Sequence, residues 1–305
     1  MKAVAAALAI AALLLPVRAQ DNSESTFKVD VKLVNVYVTV TDQQGAPIGD
    51  LTKNDFSLSE DGVPQKISIF SKESQLPISI VLAVDTSSST RKDIRLELEA
   101  ARKFIHSIIR PQDAISLYAF ATDVSEMVSF TSKLHQIDSA IGQIQVGGAT
   151  SLYDAIYLGS KALMKREGRK VLVLITDGGD TASTIDYKEA LRAAQQSEAL
   201  VYSLIDVPVE ASAGRNTGGE HALIQISHDT GGKYYYASNI FDLEKAFEQI
   251  SDELRTQYLL AYYPMPRRAA SDFREIDVVA HAHDSAANND LVVRARRGYY
   301  TSKLE

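Results

Sequence analysis

The chain has 305 residues, 45% hydrophobic and 23% charged, with 32 basic and 39 acidic side chains and no cysteine. That balance belongs to a folded protein with room for two modest domains, and it excludes disorder for most of the length. Lys2 and Arg18 are the only charges in the first 19 residues, so 30 basic groups face 39 acidic ones beyond them, which opposes generic binding to nucleic acid or an anionic membrane.

Residues 1–19 read as a signal peptide, with a cationic start, an apolar run from Ala3 to Leu15, a break at Pro16 and cleavage near Ala19. The run is too short to span a bilayer well, and no later segment is apolar enough to do so. With no cysteine to carry a lipid, the expected product is an exported, soluble protein, periplasmic or secreted. A cysteine-free exported chain fits a bacterial envelope, and its core must stabilise it without disulfides.

Residues 20–76 follow as a polar tail and then a β-rich segment. In FKVDVKLVNVYVTV, apolar and polar residues alternate, placing Val34, Val36, Val38 and Val40 on one face. DQQGAPIGD and EDGVPQ supply turns, and KISIFS alternates again.

Residues 77–256 have a different texture. The continuous apolar run ISIVLAVD is followed by a helical pattern from about Thr90 to Ile109. Then come AISLYAFA, a short strand near EMVSF, and helices at Leu134–Ile144 and Ser151–Lys165. KVLVLITD, a helix over Tyr187–Glu198, LVYSLID, a helical stretch at Glu220–Ser227 and KYYYA lead to a last helix, Ile240–Leu254. Its Leu243, Phe247, Ile250 and Leu254 recur at helical spacing as one apolar face. Unbroken apolar strands alternating with helices predict a doubly wound, mostly parallel α/β domain.

Residues 257–305 return to β texture in YLLAYYP, REIDVVAHA and LVVRARRGYY. Neither flank holds enough strands for a stable core alone, so both are expected to join in one small β-sandwich with the α/β domain inserted between them.

Ligands of doubly wound sheets gather at the carboxyl ends of the strands, beside the topological switch. Three such places here are rich in oxygen: Asp85-Thr86-Ser87-Ser88-Ser89 after ISIVLAVD, GGATSLYDA with Thr150 just before a helix, and TDGGD with Asp177. A hard divalent cation takes oxygen ligands, and magnesium keeps a compact octahedral shell with several waters. A donor set dominated by neutral oxygens leaves such a cation under-neutralised, so an incoming carboxylate gains strongly.

These residues resemble the metal-ion-dependent adhesion site of von Willebrand factor type A domains, with Asp85, Ser87 and Ser89 as the D-x-S-x-S motif and Thr150 and Asp177 on the other two loops. The resemblance runs over roughly residues 77–255. It implies a magnesium site (or manganese or calcium) and a protein partner that supplies an Asp or Glu carboxylate, in a non-enzymatic interaction or adhesion module. Ala149 departs from the commoner Gly-Gly-Thr form, and either Thr150 or Ser151 can then face the ion. The flanking segments VNVYVTVTDQQGAPIGDLTKNDFSLSEDG, YLLAYYP and VRARRGYY resemble a bacterial, acidobacterial-type group of exported von Willebrand factor A-related proteins.

Alternative readings are a metal-dependent phosphoester hydrolase using the same pocket, and a structural protein whose hydroxyls only cap helices. The hydrolase pattern D-x-D would need a second acid where Ser87 stands. Ser89-Thr90-Arg91-Lys92 fits S-x-x-K, but its companion elements are absent. Asp180 reads as a loop or capping residue. The six histidines read as surface or turn residues, and Arg294, Arg296 and Arg297 as an exposed or edge strand face.

Overall fold

The computed structural model describes residues 33–72, 76–90, 94–206, 217–265, 272–281 and 291–302. The signal assigned to residues 1–19 lies outside them. In chain order the strands are β1 (Val34–Thr41), β2 (Phe56–Glu60), β3 (Val63–Pro64), β4 (Ile69–Lys72), β5 (Ile78–Asp85), β6 (Ala114–Phe120), β7 (Val124–Thr131), β8 (Arg169–Thr176), β9 (Leu200–Asp206), β10 (Lys233–Ala237), β11 (Tyr258–Tyr262), β12 (Phe273–Ala280), β13 (Val292–Ala295) and β14 (Gly298–Tyr300). The α-helices are α1 (Ile94–Ile108), α2 (Leu134–Ile141), α3 (Leu152–Met164), α4 (Tyr187–Ser197), α5 (Thr217–Thr230) and α6 (Ile240–Thr256).

The central sheet has the order β10-β9-β8-β5-β6-β7, parallel throughout except for β7, which runs antiparallel at one edge. Burial on both faces explains why its strands read as continuous apolar runs: all eight residues of β5 are buried. Ile80, Leu82 and Val84 face one core with α1, α2 and α6; Val81 and Ala83 face the other with α3, α4 and α5. The predicted apolar face of α6 packs as expected, with Phe247 stacked on Phe104 of α1 at a 4.5 Å ring separation.

The flanks form two antiparallel sheets, β13-β1-β11-β4 and β14-β12-β2-β3. Each combines strands from before and after the α/β layer. Val34, Val36, Val38 and Val40 of β1 point into the shared core, where they meet Tyr258, Leu260 and Tyr262 of β11 and Leu58 and Ile276 of the facing sheet. The β2–β3 hairpin closes through Asp61 and Gly62, both at positive φ, the backbone that an Asp-Gly pair adopts in a two-residue turn.

The two layers are joined at the amino ends of the parallel strands. Gln257 is the sole residue between α6 and β11, and its Nε2 donates to Thr39 Oγ1 on β1. Buried Arg169, at the start of β8, donates to the Leu254 carbonyl in the last turn of α6, a position that otherwise leaves helix acceptors unpaired. Glu253 of α6 is almost fully buried and pairs at 2.6 Å with Arg294 of β13, while Tyr202 and Tyr235 donate their hydroxyls to the same carboxylate. Burial, with the Glu253 charge second, pushes both phenols well above their usual range.

The arginine run therefore corrects the sequence expectation. β13 is an edge strand, but Arg294 and Arg296 turn inward to the joint, toward Glu253 and Glu198. LVVRARRGYY is also two strands in different sheets. It breaks where Arg297 N–H donates to the Asp229 carbonyl at the end of α5.

Removing one partner of a buried ion pair leaves an uncompensated charge, which typically costs about 3–5 kcal/mol. Arg294→Met is expected to destabilise the protein toward the lower end of that range, because Lys233 also lies 3.6 Å from Glu253. Urea unfolding should show it, and the double change Glu253→Gln/Arg294→Met should recover most of the loss.

Candidate functional site

β5 and β8 are neighbours whose chains depart in opposite directions, β5 through α1 toward β6 and β8 through α4 toward β9. α1 and α4 cover opposite faces of the sheet, so the carboxyl ends of β5 and β8 are its topological switch point, where doubly wound sheets place their ligand crevice. Asp85 is the last residue of β5, and Asp177 directly follows β8.

Asp85 has no solvent exposure. Its Oδ1 accepts from Ser87 N–H at 2.9 Å and its Oδ2 from the Thr176 hydroxyl at 2.7 Å. Burial raises its pKa most. The hydrogen bonds from Thr176 and Ser87 oppose that, and the nearby Asp177 charge adds to it. Ser87 is buried and Ser89 exposed, and their hydroxyl oxygens lie 3.0 Å apart. The Thr90 hydroxyl donates back into the turn, to the Asp85 and Ser87 carbonyls.

The Thr150 loop is tied to the Asp85 loop. Ser88 N–H donates to the Gly148 carbonyl at 3.1 Å, Gly148 N–H to Ser88 Oγ at 3.2 Å, and Gly147 N–H to the Thr86 carbonyl at 2.8 Å. Thr150 itself is gripped by its main chain. Its N–H donates to Thr181 Oγ1 at 3.0 Å and its carbonyl accepts from Thr181 and Ala182 N–H at 2.8 and 3.0 Å. The Ser151 hydroxyl donates its proton to the Thr122 carbonyl at 2.6 Å, and Thr122 Oγ1 accepts from Ala149 N–H at 3.1 Å.

The Asp177 loop completes the ring. Gly179 N–H donates to Asp177 Oδ1 at 3.0 Å and Gly178 N–H to Thr176 Oγ1 at 3.1 Å. Asp180 caps α3 from this loop, its Oδ1 accepting from Leu152 N–H at 2.9 Å. The N-terminus of α5 presses on the same loop so closely that a Cβ at Gly219 would lie 1.6 Å from the Gly178 carbonyl oxygen. Glycine is required there by space alone.

All five residues singled out in the sequence thus lie on three loops of one rim, cross-tied to one another. Sequence reasoning missed Thr176, Thr181 and Ser88, which hold those loops. Their signal was adjacency to the motif residues, without any pattern of their own. Among the described residues no three His, Cys, Asp or Glu side chains converge into a cation cage, here or elsewhere. The donor set here is two carboxylates plus serine and threonine hydroxyls, all hard oxygens, which is the chemistry that magnesium, manganese and calcium take.

Residues 80–179 match the family model of the von Willebrand factor type A domain. An uncharacterized protein of Borreliella burgdorferi (strain ATCC 35210 / DSM 4680 / CIP 102532 / B31) is 26% identical over 187 residues, covering 55% of this chain and 54% of the relative. The chain therefore spans about half the length of that relative. Among solved structures, the vWF domain of the type V pili tip protein Mfa5 from Porphyromonas gingivalis aligns at 11% identity and a TM-score of 0.48, over 58% of this chain and 94% of that one. The conserved hypothetical protein BatB from Bacteroides thetaiotaomicron aligns at 19% identity and a TM-score of 0.47, over 59% and 100%. The D319A mutant of the PilB minor pilin from Streptococcus sanguinis aligns at 16% identity and a TM-score of 0.48, over 60% and 62%.

A carboxylic acid whose folded pKa is raised binds its proton more tightly folded than unfolded. Its contribution favours folding at low pH and is lost as pH climbs from the ordinary value of 3.8 through the raised one. Ion-free protein should therefore lose stability over that interval, and Asp85→Asn should flatten the loss. Urea midpoints across the acid range in the presence of chelator measure both.

Proposed function

We propose that this chain, whose residues 80–179 match the von Willebrand factor type A model, is an exported, non-enzymatic protein-interaction module that grips its partner through a divalent cation. The observation that supports this reading best is the convergence of the three oxygen-bearing loops at the β5–β8 crevice. Two hydroxyls lie side by side there, next to a buried carboxylate that accepts hydrogen bonds from Ser87 N–H and the Thr176 hydroxyl.

In this reading Asp85, Ser87, Ser89, Thr150 and Asp177 hold magnesium, or manganese or calcium, directly or through water. The bound ion would supply positive charge at the rim and an open position for an oxygen ligand. Two carboxylates shared among neutral hydroxyls leave that charge partly uncompensated, and an Asp or Glu side chain of a protein partner completes it. Thr150 is the hydroxyl assigned to the ion, and Ser151, whose oxygen keeps its lone pairs while donating to the Thr122 carbonyl, is the alternative on the same loop. The main chain around Ser87 and Thr150 is already tied down, so little ordering remains to oppose binding.

Asp85→Ala removes the only carboxylate of the D-x-S-x-S turn. Calorimetry on the full chain should show magnesium binding in the wild type and none in the variant, and chelator should release a partner captured from native envelope. A wild type that takes up no divalent ion at millimolar concentration would refute the metal reading.

Export rests on residues 1–19 as a cleaved signal. Among the described residues no helix is long and apolar enough to cross a membrane. Protein recovered outside the cytoplasm should begin near Gln20, and an intact Met1 on a membrane-embedded product would sink this part of the proposal.

A further inference from the structure

Thr176 stands outside the ligand motif, fully buried at the last position of β8, yet its hydroxyl has two partners that both belong to the site. A hydroxyl has one proton to give and lone pairs to receive with. Here the proton goes to Asp85 Oδ2 at 2.7 Å, and a lone pair takes Gly178 N–H at 3.1 Å. One oxygen thus bridges the carboxylate ending β5 to the turn carrying Asp177.

Each carboxylate then has a fixed reference. Asp85 is held from two sides, by Ser87 N–H on one oxygen and by Thr176 on the other, which sets the rotation of the carboxylate plane. The Asp177 turn is held through Gly178 N–H to Thr176, and Gly179 N–H then orients Asp177 Oδ1. Valine at position 176 would keep the branched shape while removing both bonds. Asp85 Oδ2 would face a methyl group, and the Gly178 N–H, in a turn pressed by α5, would lose its acceptor.

We infer that Thr176 is a positioning residue for the cation site, setting the Asp85 carboxylate and the Asp177 turn relative to each other before any ion arrives. The inference rests on the metal reading above. Outer partners of this kind act by orienting ligands that are themselves in contact with the metal, and their loss typically costs about 10–100-fold in metal affinity. Serine keeps the hydroxyl and should keep the function.

The test is calorimetric titration of magnesium into full-length wild type, Thr176→Ser and Thr176→Val, with melting temperatures of the ion-free proteins recorded in parallel. The expected result is a loss of at least about tenfold in affinity for Thr176→Val, with Thr176→Ser within about threefold of wild type. If Thr176→Val fails to fold, Thr176→Ala removes the same hydroxyl without a second methyl group and takes its place. A hydroxyl-free variant that melts lower but binds magnesium like the wild type assigns Thr176 a merely structural role and overturns the inference. Equal losses in Thr176→Ser and Thr176→Val overturn it too, since the hydroxyl would not be what matters. A wild type that binds no magnesium brings down the metal reading itself, and this inference with it, a result distinct from binding that persists without the hydroxyl.

Discussion

Parallel strands all point one way, and this constraint divides the α/β layer into two rims of different chemistry. At the carboxyl rim the chain leaves each strand through a loop, and the crevice between β5 and β8 collects those loops. At the amino rim the chain arrives from the flank through β4 and returns to it through β11. The sandwich is built onto the second rim, and its polar contacts to the α/β layer include those of Arg294, Arg296 and Arg297 with Glu253, Glu198 and Asp229 and of Asp272 with Arg192 on α4. The oxygen-bearing loops keep the first rim.

The two rims handle buried charge in opposite ways. Glu253 is surrounded by Arg294, Lys233 and two tyrosine hydroxyls, so its charge is matched within the protein. Asp85 is as deeply buried, but among the described residues its hydrogen-bond partners are N–H and O–H dipoles, with a second carboxylate nearby. A paired buried charge supports a permanent joint. On the metal reading proposed above, a buried carboxylate held by dipoles beside another acid would take its compensating charge from a bound ion.

Much of this was legible in the sequence because it depends on local pattern. ISIVLAVD announces a strand buried on both faces, and the alternating valines of β1 announce one buried on a single face. Asp85, Ser87 and Ser89 stand two apart in a turn whose place is set by the strand before it. What stayed hidden depends on pairing between distant segments. Nothing near Arg294 reveals that Glu253 lies opposite, and nothing in REIDVVAHA or RARRGYY tells which sheet each strand joins. The α5 helix spans Thr217–Thr230, longer at both ends than the stretch Glu220–Ser227 expected from its pattern. The fold requires a glycine at 219 for close approach to Gly178, a reason that no local preference contains. Thr176 was overlooked for a similar reason, since a threonine ending a strand looks like β propensity until its partners are seen.

The strands by which the chain enters and leaves the α/β layer, β4 and β11, are hydrogen-bonded to each other, with Lys72 opposite Tyr258 and Ile69 opposite Ala261. The inserted domain is therefore closed by a clasp at its neck. Tension applied through the flanks is borne first by this ladder and by the sandwich core behind it. It cannot unthread β5 or α6 until the ladder has opened. A partner pulling on the far rim would thus be tethered through a neck of two laced strands instead of a single thread.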